Sequence, residues 1–125
     1  MFDGRDLSDA ERWIDEWRCA IDERAERTRA LSARLARLSE TARSPDGLVT
    51  VTIGPGGDLM GLDLGEGIRR RPAADTARAI LATLRAARSR LSSAVAAAAD
   101  ETVGADSATG RAVIAAYAVR VSPAD

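Results

Sequence analysis

The chain has 125 residues, 18 basic and 19 acidic side chains, a net charge of −1 and no histidine. Its length bounds it to one domain, and the missing histidine excludes imidazole acid–base catalysis and His-ligated metal. With 46% apolar but only 3% aromatic residues, its core relies on thin side chains, which suit helix–helix packing better than a deep ligand cavity.

In chain order, Met1–Leu7 is polar and acidic, so no signal peptide is expected. Ser8-Asp9-Ala10-Glu11 reads as a capping box that starts a long helix. Ile14, Trp17, Ile21, Thr28, Leu31, Leu35 and Leu38 then recur at alternating spacings of three and four, with Arg24 filling one position. That 3.5-residue period predicts a left-handed coiled-coil seam on a rod of about 45 Å. Such a rod outruns a small sheet, so a second copy is the expected partner, meeting it through Trp13, Trp17, Ile21, Leu31 and Leu35. Trp13 and Trp17, one turn apart, either close the open end of this seam or anchor a different protein. The lone Cys19 permits no intrachain disulfide and no multi-cysteine metal site, which fits a reducing cytoplasm; it reads as packed or inert.

The helix is predicted to end near Leu38, with Ser39–Arg43 as a short first strand. Ser44-Pro45-Asp46-Gly47 is a strong turn signal. Leu48–Ile53 alternates as a strand, Gly54-Pro55-Gly56-Gly57 closes a hairpin, and Leu59–Leu64 follows with Met60, Leu62 and Leu64 on one face. The glycine turn lacks the Lys-Ser/Thr of a phosphate loop and sits between strands. This reading gives an antiparallel meander of two or three strands.

Pro72 is well placed in the first turn of a second long helix running to Asp100. Ala77, Ile80, Leu81, Leu84, Ala87, Leu91, Val95 and Ala98 share one face of it, and Arg71, Arg78 and Arg85, seven apart, line the other. Ala94–Ala99, the longest apolar run, is far too short to span a membrane. A short third helix is expected over Thr109–Val119.

The near-neutral total hides segregation: residues 1–26 carry −5, 27–43 carry +4, 44–68 carry −4, 69–90 carry +6 and 91–125 carry −2. All the basic residues are arginine, either from coding bias or because guanidinium forks bind phosphate and carboxylate. The +6 stretch can dominate the near field within a Debye length of about 8 Å. Arg69, Arg70, Arg71, Arg78 and Arg85 are therefore the first candidates for phosphate contact, with Arg34, Arg37 and Arg43 second. Glu23 with Arg27, and Asp15 with Arg18, are spaced to pair within the first helix. No aromatic residue interleaves the arginines, and nothing resembles a reading helix, so base-specific recognition is not expected. No nucleophile–base constellation can be assembled, so no enzymatic activity, cofactor or metal is expected.

The stretch Leu38–Leu64, LSETARSPDGLVTVTIGPGGDLMGLDL, resembles the YbaB/EbfC family of bacterial nucleoid-associated DNA-binding proteins. The matching residues are Gly47, Leu48, Val49, Val51 and Ile53, then Gly57, Leu59, Leu62 and Leu64. The following helix matches in pattern through Ile80, Leu84, Ala87 and Leu91. The resemblance covers roughly residues 8–99, and the all-arginine chain with Glu66–Pro72 looks like an actinobacterial branch. It implies an α+β fold of order αβββα, a tweezer-like homodimer, a place in the cytoplasmic nucleoid and binding of double-stranded DNA with little sequence preference. Residues 1–100 would form the dimerisation and DNA-binding domain, and 101–125 a C-terminal extension. The acidic first half of helix one and that extension depart from the family pattern. They motivate a rival expectation, a homodimeric protein-interaction scaffold of the same fold that has lost DNA binding.

Overall fold

The heptad stripe folds as a helix, α1, Gly4–Ala36, in a computed structural model that describes residues 4–121. Because α1 already begins at Gly4, Ser8 lies inside it and the predicted capping box is not its start; Asp6 supplies the acidic first turn instead. Its last turn tightens, with the N–H groups of Arg37 and Leu38 donating to the carbonyls of Arg34 and Leu35. The chain then enters a meander of β1 (Glu40–Arg43), β2 (Val49–Ile53) and β3 (Leu59–Leu64), ordered β1-β2-β3 and antiparallel throughout. A turn and a half of 3-10 helix, Glu66–Arg70, leads into α2 (Ala73–Thr102), and α3 (Ala108–Val121) completes the order.

Alternation in β2 is clean. Val49, Val51 and Ile53 are fully buried against α2, while Thr50 and Thr52 point to the polar face, where Thr52 meets the Thr41 hydroxyl at 3.1 Å. β3 departs from the predicted pattern. An irregularity at Thr52/Ile53 pairs Leu59 rather than Met60 with Ile53. Met60 is thereby left without a partner in the ladder and is 71% exposed.

The α2 face also rotates from the one read in sequence. Thr83, Ala87, Leu91, Val95, Ala98 and Ala99 are buried, whereas Ala77 and Leu81 are exposed. α2 packs mainly over β1 and β2 and much less over β3, so the outer edge of the helix stays wet. Thr83 is tolerated inside because its hydroxyl donates to the Ala79 carbonyl at 2.7 Å. Gly104, with φ 87°, donates to the Ala99 carbonyl and ends α2 in the left-handed conformation that glycine adopts without a Cβ clash. Ser107 caps α3 by accepting from the Gly110 N–H at 3.0 Å, and α3 turns back along α2 to bury Tyr117 in the core.

The second core cluster corrects the seam. Leu31 is only 2% exposed, packed on Ala98 and Ala99, and Leu35 is half-buried between the two clusters. Leu31 is thus packed inside the protomer, where the sequence reading placed it on a dimer seam, and Leu35 is half-covered within the same chain. The 30-residue α2 supplies in the same chain the apolar groove that the sequence reading assigned to a second copy. From Asp6 through Arg24 every α1 residue is exposed, so that half of the helix projects past the α2–α3 corner. Cys19 rides on this arm as a free, exposed thiol, not a packed one.

Candidate nucleic-acid interface

The arginine-rich stretch is positioned by the first hairpin turn. Ser44 is the buried pivot: its hydroxyl donates to Asp46 Oδ1 at 2.6 Å and accepts from the Val49 N–H at 3.0 Å. Asp46 Oδ1 also accepts from the Leu48 N–H at 3.0 Å. Gly47 takes φ 74°, open to glycine and costly for a β-carbon. The Ser44 hydroxyl first, then the Leu48 N–H, and with them the Arg71 guanidinium, hold the Asp46 carboxyl down at about 2.

Arg71 closes this network. Its Nη1 donates to Asp46 Oδ2 at 2.7 Å and its Nε to the Thr76 hydroxyl at 3.3 Å. Its side chain is 22% exposed, and Nη2 is buried with no partner among the described residues. Arg71 precedes α2 and faces inward, so it does not extend the Arg78–Arg85 stripe and offers no open fork to a phosphate. Sequence reasoning missed Asp46 and Thr76 as its holders; the Ser-Pro-Asp-Gly signal marked the turn but not the distant cation.

The other arginines of the +6 stretch divide into two sets. Arg88 Nε donates to the Gly57 carbonyl at 3.3 Å and Arg90 Nη1 to the Thr41 carbonyl at 2.7 Å, so both fasten α2 to the sheet and its turn. Arg69, Arg70, Arg78 and Arg85 are exposed. Arg69 pairs with Glu66 at 3.2 Å and Arg78 with Asp75, both as i,i+3 contacts in solvent, which hold their partners weakly. Arg70 and Arg85 form no ion pair among the described residues. The positive end of the α2 dipole lies on the same side as Arg69 and Arg70.

Of the second-rank candidates, Arg34 Nη1 is tied to Glu101 at 2.6 Å, joining α1 to the end of α2. Arg43 folds over its own turn, with Nε and Nη2 both 3.3 Å from the Gly47 carbonyl. Arg37 is exposed and forms no ion pair among the described residues. Glu23 and Arg27 pair at 3.3 Å as the spacing predicted, whereas Asp15 and Arg18 do not pair.

Apolar side chains also lie uncovered. Leu59, Met60, Leu62 and Leu64 on β3 are exposed along a strand whose outer edge has no partner strand among the described residues, with Leu81 exposed on α2. On the arm, Leu7, Trp13, Ile14, Trp17 and Ile21 are all exposed.

These features define the class of protein: a small α+β fold in which a long helix, a three-stranded antiparallel meander, a second long helix and a short third helix follow one another, with exposed arginines before and along α2. Residues 20–106, well over half of the chain, match the YbaB/EbfC DNA-binding family, and the chain belongs to that family. The matched span leaves out Trp13, Trp17 and α3. No curated protein and no solved structure matches the chain. Among the described residues no helix is long and apolar enough to cross a membrane.

Proposed function

We propose that this chain is a homodimeric, nucleoid-associated protein of the cytoplasm that binds double-stranded DNA with little sequence preference and performs no catalysis. The observation that carries the reading is the exposed set Arg69, Arg70, Arg78 and Arg85 on one stretch of a member of a DNA-binding family. Guanidiniums free or weakly paired in solvent can exchange a carboxylate for a phosphate at little cost. Arg37 adds a further open cation, Arg34 and Arg43 contribute field more than contact, and Arg71 positions the turn beside them.

Dimerisation on this reading uses the β3 edge. An isologous pairing of β3 with a second β3 would satisfy its open backbone edge and cover Leu59, Leu62 and Leu64 together. It would also double the cationic surface. Gel-shift titration of a random-sequence duplex tests the assignment. Arg70→Glu/Arg85→Glu is expected to weaken binding at least about tenfold, the order of two lost charge-assisted contacts. Unchanged affinity in that double variant would reject these residues as the interface.

A further inference from the structure

We propose that the projecting half of α1 is a docking rail for a basic amphipathic helix of another protein. Leu7, Ile14 and Ile21 recur every seven residues, with Ala10 and Trp17 at the complementary positions, and Trp13 widens the stripe on one side. Trp13 and Trp17 are 64% and 54% exposed, so the chain's own fold leaves the stripe uncovered. It runs for about four turns, some 22 Å. An isolated helix of that length is marginal in water, and large exposed aromatics mark recognition surfaces.

Carboxylates flank the stripe. Asp9, Glu16 and Glu23, seven apart, line the side next to Trp13, while Glu11, Asp15 and Asp22 line the other. Residues 6–26 hold eight carboxylates against three arginines, and this rail lies mostly outside the family span, which begins at residue 20. A second copy of the same arm fits poorly. It would bring two sets of excess negative charge within a Debye length of about 8 Å, and in register it would set Arg24 against its own copy inside the seam. A helix with apolar knobs and lysine or arginine on its flanks meets both the stripe and the charge. Its basic run stops at Arg24, because Arg24 and Arg27, with Ser107 and Thr109, line a cleft of about 390 Å³ between α1 and the α2–α3 corner.

The protein's two tryptophans both sit on the arm, so intrinsic emission of the full chain reads this surface directly. The probes are two synthetic peptides of about three heptads with leucine at the seam positions. One carries lysine on the flanks and the other glutamate. The lysine peptide is expected to give a saturable blue shift that weakens at least about tenfold between low and high salt, and the glutamate peptide none. Glu16→Arg/Glu23→Arg, both at exposed positions, is expected to abolish the lysine-peptide shift. Equal response to both peptides, response to neither, or full retention in the double variant overturns the proposal. So does emission that is already blue and moves to the red only on dilution, which assigns the arm to a second copy. No DNA is present, so none of these outcomes bears on the duplex-binding reading.

Discussion

Arg71 Nη1 reaches Asp46 Oδ2 at 2.7 Å across 25 positions of sequence, fastening the first hairpin turn to the threshold of α2. The contact anchors the residue that caps the 3-10 turn, directly after Arg69 and Arg70.

That contact makes stability respond to acid. The Asp46 carboxyl falls from its ordinary 3.8 to about 2 in the fold, so its stabilising contribution is complete above about pH 4 and is lost as pH drops towards 2. Asp46→Asn is expected to melt below the wild type at neutral pH, with the gap closing between about pH 4 and 2. Melting curves across that range check it; a gap that does not change with pH would contradict the assignment.

Arg71 and Arg85 are expected to fail differently when truncated. Arg71→Ala removes a charged donor from Asp46 and Thr76 and is expected to cost about 1–3 kcal/mol of stability. Arg85→Ala, at an exposed position with no ion pair among the described residues, is expected to leave stability within about 0.5 kcal/mol while weakening duplex binding. Denaturant titration beside a binding assay separates the two.

Leu31 and Ile14 lie on one stripe in sequence but in different surroundings in the fold. Leu31→Ala opens a hole against Ala98 and Ala99 and is expected to cost about 2–5 kcal/mol. Ile14→Ala, on the exposed arm, is expected to change stability by less than about 0.5 kcal/mol. Equal losses in chemical denaturation would mean that the arm is packed in solution.

The β3 edge is expected to hold the dimer. Leu62→Arg places a charge on the patch formed with Leu59 and Leu64, and the mass from light scattering is expected to fall from dimer to monomer. Trp17→Ala is expected to leave that mass unchanged. The reverse result would return dimerisation to the α1 seam.

The elements were legible because their signals are local. The Val49–Ile53 alternation, the Ser-Pro-Asp-Gly and Gly-Pro-Gly-Gly turns and the heptad stripe each gave an element within a few residues of its observed ends. What sequence could not reveal depends on distant partners. Leu31 and Ile14 look alike until α2 is laid along only the last turns of α1. Arg71 looks like Arg78 until Asp46 is brought beside it. The bulge at Met60 follows from pairing with β2, which no periodicity within β3 encodes.

The claim that the exposed arginines bind duplex phosphates is tested most directly by anisotropy of a labelled random-sequence duplex with the full chain across a salt series. Log affinity is expected to fall against log salt with a slope of about −4 to −5, the value for about five neutralised phosphates. A similar slope is expected on unrelated sequences. No binding at about 50 mM salt, or a slope near zero, would contradict it.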